Sequence, residues 1–134
     1  MANEINTISV ALDATADDVI VFKNSDQGGA VTLVEAYAVN HATTSGTASY
    51  AVTLRKRTAA GTVIAGTVGA AMGGTAASGY SSHWTDLVPK TFTLDNDYRT
   101  IDDGECVSVG WEAIDEGAPT RAKVVLHFMQ GKAA

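Results

Sequence analysis

Apolar residues in this chain recur at every second position, in short runs cut by clusters of Gly, Asn, Asp and Ser. The three-and-four spacing of an amphipathic helix is nearly absent. Successive side chains of an extended strand point to opposite faces, so this period is the signature of half-buried strands. Ile8, Val10 and Leu12 share one face of a strand over residues 5–12. Residues 19–22 make a second strand, closed by the polar run from Asn24 to Gly29. Residues 31–39 make a longer one, in which Val31, Leu33 and Tyr37 compete with Val34, Ala36 and Ala38 for the inner face. Tyr50, Val52 and Leu54 define the next, and residues 62–64 form a short partner beyond the Ala60-Gly61 turn. Residues 84–88 and 91–94 flank Pro89, which places that break at an edge or corner. Residues 98–101 lead into Asp102-Asp103-Gly104, a sharp hairpin signal. Val107, Val109 and Trp111 face one side of the following strand. The last, over residues 121–129, puts Ala122, Val124, Leu126 and Phe128 inward and Lys123 and His127 outward. The expectation is an all-β fold: an antiparallel β-sandwich, jelly-roll-like, of about eight to ten strands.

Composition narrows the class. The 134 residues fit one domain, burying about two thirds of the unfolded surface. Hydrophobic residues make up 46% of the chain but aromatic ones only 7%, so Ala and Val build thin, regular layers. Charged residues, at 18%, fall below the roughly 25% of an average domain, which argues against charge-driven disorder. A net charge of −6 argues against nucleic acid as a partner, because phosphate binding needs a cationic surface. The single cysteine, Cys106, excludes an internal disulfide and a cysteine-based zinc site, and its apolar setting marks a buried thiol. The start of the chain lacks the basic region and apolar core of a secretory signal, and no run is long enough to span a membrane. A soluble protein made in the cytoplasm, with no membrane partner, is expected.

Catalytic constellations fail one by one. Ser81 lacks the second glycine of a nucleophile elbow, and the glycines at 66, 69, 73 and 74 fit neither a phosphate loop nor a dinucleotide fingerprint. His41, His83 and His127 form no metal-type pair. Ser82, His83 and Asp86 invite a triad, but sequence neighbours on an extended chain point apart. Asp95, Asp97, Asp102, Asp103 and Glu105 are dense enough for calcium, yet Arg99 and Thr100 break the calcium-loop pattern, and Asp favours turns by bonding nearby amides. No enzyme, cofactor or metal is therefore expected. Sugar binding remains an alternative, with Trp84, Tyr80 and Tyr98 as the exposed aromatic candidates and Trp111 in the core.

Two segments stand apart from the strand rhythm. Residues 1–7 read as an extended N-terminal arm preceding a β-sandwich over residues 8–134. Residues 66–82 are built almost wholly from Gly, Ala, Thr and Ser, with Met72 and Tyr80 the large side chains. That stretch is too long for an ordinary hairpin loop, and long loops of this kind are mobile or used in binding.

The polar arm, the Val/Thr/Ala-rich strands, the small-residue loop and the run from Arg99 through Ile101-Asp102-Asp103-Gly104-Glu105 to Val109 together resemble tailed-bacteriophage virion proteins. The nearest category is the capsid decoration (cement) proteins and related jelly-roll head proteins. The resemblance implies a structural protein on the capsid exterior, synthesised in the host cytoplasm. Its partner is then the major capsid protein, and it assembles as a homotrimer at three-fold or quasi-three-fold positions. The expected contacts are Ala2, Asn3, Glu4, Ile5, Asn6 and Thr7 of the arm, and Met72 and Tyr80 of the loop. The alternative is a carbohydrate-binding or adhesin domain of a phage head fibre or tail.

Overall fold

The computed structural model describes residues 5–12, 18–24, 29–44, 48–72, 84, 86–115 and 117–131. Nine strands follow in chain order: β1 (Ile5–Ala11), β2 (Val19–Lys23), β3 (Val31–Val39), β4 (Ala48–Arg57), β5 (Val63–Met72), β6 (Lys90–Thr91), β7 (Thr100–Ile101), β8 (Cys106–Asp115) and β9 (Lys123–Gln130). They form two antiparallel sheets. The front sheet runs β1-β9-β3-β6, with β7 also on β3; the back sheet runs β2-β8-β4-β5. The order has a simple origin. Pairing β4 with β5, β3 with β6 and β7, β2 with β8, and β1 with β9 is one long hairpin, folded at residues 58–62 and then rolled so that successive pairs alternate between sheets. Two further pairings, β3 with β9 and β4 with β8, close the roll. This is a jelly roll, and the expected all-β sandwich is the observed one.

The core lies between the sheets and follows the alternation. β9 sends Val124, Leu126 and Phe128 inward, each at most 1% exposed, while Lys123 is exposed. Tyr50, Val52 and Leu54 of β4 and Val107, Val109 and Trp111 of β8 face them from the back sheet. Phe22 stacks on Phe128 across the gap, ring centroids 4.3 Å apart, which sets β2 over the β1–β9 flank. The competition within β3 has a definite outcome. A bulge between Leu33 and Glu35 absorbs Val34 and resets the strand by one residue, so Val31 and Leu33 point inward before it and Ala36 and Ala38 after it. Both candidate sets hold part of the inner face, because an extra residue flips every side chain beyond it.

Several expectations are corrected. The segment 66–82 does not begin as a loop: β5 runs ten residues to Met72. Between the Arg57↔Val63 and Val52↔Met72 pairs β4 advances five residues and β5 nine, with register shifts on the way. Glycines and alanines suit such a repeatedly bulged edge strand, which a period-two reading cannot register. Among the described residues of 84–88 none is in a strand: Trp84 lies outside regular structure and Asp86 and Leu87 form a turn. The turn at 102–105 is tight, with the Glu105 N–H donating to the Asp102 carbonyl at 3.0 Å and Gly104 at φ 82°. It joins β7 of the front sheet to β8 of the back sheet, so it is a corner between layers rather than a hairpin.

A buried asparagine organises each end of the sandwich. At one end Asn24 donates its amide to the carbonyls of Gly29 and Ile101, both at 2.9 Å, and its backbone exchanges bonds with Gly104 and Glu105. There Lys56 turns inward, donating to the Thr100 carbonyl at 2.7 Å and pairing with Glu105 at 3.2 Å. At the other end Asn40, fully buried, accepts from the Tyr50 hydroxyl and the Thr120 N–H and donates to the Ala42 carbonyl.

Candidate contact surfaces

The described residues among those expected to make contacts divide between the two ends. Ile5, Asn6 and Thr7 are not part of a separate arm: they open β1 and pair in register with Met129, Phe128 and His127 of β9. The strand extends back beyond the apolar alternation, which carried back from Ile8 falls on Asn6, and the polar Asn6 and Thr7 sit exposed on an edge strand where exposure costs little. Ala2, Asn3, Glu4 and Tyr80 lie outside the described residues. Met72 closes β5 opposite Val52, toward the Asn40 end, whereas Ile5 begins β1 at the Asn24 end. Chain leaving β5 is therefore anchored at the opposite end of the sandwich from chain entering β1.

The outer face of the back sheet carries a charge cluster that sequence reading missed. β4 places Arg55 and Arg57 two residues apart on that face, and β8 places Ser108 and Gly110 beside them. Asp18, just before β2, lies across them: the Arg55 Nη1 donates to both its carboxylate oxygens at 2.8 Å, and the Arg57 Nη2 to one at 2.7 Å. Arg57 also donates from Nε to the Ser108 hydroxyl and from Nη1 to the Gly61 carbonyl. A side chain at residue 110 would overlap the Asp18 carboxylate, so glycine is required there for Asp18 to lie flat. The ion pairs are a fifth to a third exposed, and each contributes on the order of 1 kcal/mol. Beside them lies a shallow cleft of about 250 Å³ lined by Asp18, Thr53, Arg55, Glu112 and Ala113. One carboxylate is shared by two guanidiniums, which leaves the group a net charge of +1, and the arrangement staples the entry to β2 onto the sheet. The signal available in sequence was Arg55-Lys56-Arg57: alternation sends the two arginines out and the lysine in.

The Asn40 end presents an apolar tip. Trp84 is fully buried, stacked on Tyr50 at 5.0 Å with its indole N–H donating to the Tyr50 carbonyl; Lys90 lies over its ring at 5.4 Å. Trp84 is thus a core residue, not an exposed sugar platform, and Tyr98 is half-buried. Beyond it the chain turns through Leu87 and Val88, 60% and 49% exposed. Leu87 has φ 62°, a left-handed conformation that costs a branched side chain about 1 kcal/mol or more. Its N–H donates to the Asn40 carbonyl at 2.9 Å, and the Asp86 N–H donates to the Thr43 hydroxyl at 3.2 Å, which fixes the tip to the buried asparagine. On the opposite flank Val19 and Ile20, each 50% exposed, open the edge strand β2.

The remaining candidates have structural roles. Asp95 accepts the Asp97 N–H on its side chain and the Tyr98 and Arg99 N–H groups on its carbonyl, and Glu105 accepts the Asp102 N–H: these are turn functions. Among the described residues no group of three or more metal-ligating side chains converges. His127 lies on the outer face of the front sheet, its Nδ1 2.9 Å from the Thr7 hydroxyl. Cys106 is a free thiol, 3% exposed. Ser81, Ser82 and His83 lie outside the described residues. Among those described, no helix is long and apolar enough to cross a membrane.

The strand orders define the class: a jelly-roll β-sandwich. No protein-family model and no curated protein matches the chain. Among solved structures it is similar to a chain in "Structure of infectious bursal disease virus Gt strain", with a TM-score of 0.42 and 12% identity. The match covers 98% of this chain and 38% of that one.

Proposed function

We propose that this protein is a virion structural component: a decoration protein that binds the outer surface of a capsid as a homotrimer and stabilises the head, without catalysis. The observation that carries the reading is the strand order, β1-β9-β3-β6 over β2-β8-β4-β5, an architecture that recurs in viral capsid and lectin domains. The paired charges and turn-forming carboxylates are consistent with a scaffold whose work is adhesion. An acidic exterior keeps the protein away from packaged nucleic acid and soluble before assembly. The partner is the major capsid protein. Burial of Trp84 weighs against the carbohydrate-binding alternative, whose sites depend on exposed aromatics.

Incubating the purified chain with undecorated capsids tests the proposal. Saturable binding near three-fold axes, with a gain in the particle's thermal stability, is the expected result. Binding to a glycan array with no capsid binding refutes decoration and favours the adhesin. To test the start of the chain, a truncation must stop at residue 4, because removing Ile5, Asn6 and Thr7 takes pairs from β1 and confounds lost contact with lost fold.

A further inference from the structure

An open sheet edge invites unwanted pairing, and folds blunt it with short strands, bulges, prolines or charges. Three edges of this sandwich carry such devices. On the far side of the front sheet β6 and β7 are two residues each, and Pro89 precedes β6. In the back sheet β5 shifts register repeatedly, while β2 is bulged between Ile20 and Phe22 and ends at Lys23. β1 has none of them. Its seven residues, INTISVA, contain no charge and no proline and pair with β9 in unbroken register. Among the described residues no strand lies on their other side. The Leu12 N–H donates to the Ala122 carbonyl. By the alternation of an antiparallel ladder, the even-numbered residues therefore bond to β9, and Thr7, Ser9 and Ala11 turn their N–H and C=O groups to the open side.

The side chains along this edge define what fits it. On the inner face Ile8 and Val10 pair with Leu126 and Val124 of β9. Those partners are fully buried, whereas Ile8, Val10 and the following Leu12 are only half-buried, with no strand flanking them. On the outer face Ala11 pairs with Lys123, which is exposed and in no ion pair among the described residues. We infer that β1 is a docking edge for an extended, antiparallel segment of a partner protein. That segment carries apolar side chains at alternate positions, opposite Ile8 and Val10, and an acidic one opposite Ala11. Main-chain bonds supply affinity, and the alternate side chains supply specificity. The acid sits two strand spacings from Lys123, about 10 Å, and the alanine between them leaves room for the two side chains to meet. A second copy does not answer this chemistry. In a two-fold β1–β1 pair only odd-numbered residues share the face of Ala11, and none of Ile5, Thr7, Ser9 or Ala11 is acidic. The inference deepens the proposed function and rests on it for the identity of the partner alone, a segment of the major capsid protein.

The test uses the full chain and two variants, Ser9→Pro and Lys123→Glu, with melting as the check on folding. Proline at residue 9 removes an outward N–H and no bond to β9, a place that an edge strand tolerates. The probes are two acetylated, amidated peptides, EVTVTVT and KVTVTVT, followed by fluorescence anisotropy and amide hydrogen exchange. The parent is expected to bind EVTVTVT, with slowed exchange at Thr7, Ser9 and Ala11, and to bind KVTVTVT about fivefold more weakly. Lys123→Glu should reverse that order, and Ser9→Pro should weaken binding about tenfold. Absence of binding overturns the inference, as do unchanged exchange at those three amides, an order that Lys123→Glu leaves alone, or a folded Ser9→Pro with the parent's affinity. Should Ser9→Pro not fold, the Lys123→Glu comparison decides. A parent that sediments as a dimer while Ser9→Pro stays monomeric gives the edge to a second copy and overturns the inference as well. With undecorated capsids, equal binding by parent and Ser9→Pro overturns the inference and leaves decoration standing. Peptide binding by a chain that ignores capsids refutes decoration and leaves the docking edge standing.

Discussion

Replacing Asn40 by alanine is the most informative single perturbation of this fold. The Asn40 side chain is fully buried and makes three hydrogen bonds: it accepts from the Tyr50 hydroxyl at 2.8 Å and the Thr120 N–H at 2.8 Å, and donates to the Ala42 carbonyl at 2.7 Å. Alanine removes the partner of all three. An orphaned buried group costs about 1–3 kcal/mol. Tyr50 is 0% exposed and bears the larger share, while the Thr120 and Ala42 groups lie where water reaches more easily. The sum is a loss of about 3–5 kcal/mol, a large part of the roughly 5–15 kcal/mol that holds a domain together. For a chain of this size that is a fall in Tm of roughly 10–15 °C. Urea and thermal melts followed by circular dichroism measure it. Tyr50→Phe alone should cost about 1–2 kcal/mol, because Asn40 keeps its bond to Thr120. The double variant should lose about 1–2 kcal/mol less than the two singles added, since part of the alanine penalty is the stranded Tyr50 hydroxyl. An Asn40→Ala protein that melts within a few degrees of the parent, or strictly additive singles, defeats the claim that this asparagine organises its end of the sandwich.

Other outcomes follow from the same packing. Burial holds the Tyr50 phenol above its ordinary value of 10.0; the folded chain then keeps a proton that the unfolded chain releases, so stability is intact below about pH 10 and falls as pH rises beyond it. Tyr50→Phe should flatten that alkaline fall, and in an ultraviolet titration of the parent Tyr50 should ionise only as the chain unfolds. Gly110→Ala should displace Asp18 from both arginines and cost about 2 kcal/mol by chemical denaturation; an unchanged midpoint refutes the close approach. Deleting residues 2–4 should leave Tm within a few degrees, whereas deleting 2–9 removes five of the β1–β9 pairs and should unfold the chain at 37 °C or near it.

Where the strand pairs in regular register, the sequence is easy to read. β9 and β8 pair with β1 and β4 without a register shift, and Val124, Leu126, Phe128, Val107, Val109 and Trp111 all reach the core as their spacing requires, although Val125, Cys106 and Ser108 between them are buried as well. Legibility fails where a residue is inserted. The bulge at Val34 makes both phases of β3 correct in turn, and the repeated shifts along β5 allow a Gly-rich stretch to pair although its composition resembles a loop. It fails again where partners lie far apart in the chain. The Trp84 indole is held by a carbonyl 34 positions away, and Asp18 by arginines 37 and 39 positions away. The apolar tip was hidden for a different reason. Leu87 and Val88 have a strand-like composition, and only the turn at Asp86 and Leu87, tied to the Asn40 carbonyl, leaves them facing solvent.

The rolled hairpin also dictates an order of events during synthesis. β9 lies between β1 and β3, so an interior member of the front layer is made after the eight other strands described. Until β9 has emerged, β1 has no strand partner among the described residues and β3 lacks its principal one, while β2 and β8 already have theirs. At about 5–20 residues per second, the nascent chain spends seconds with half its architecture assembled and a slot open for one more strand. Completion of the front layer waits on the codons of residues 123–130. A message truncated before β9 yields a protein with an unfilled gap through the middle of one layer, ready to accept whatever extended segment arrives first.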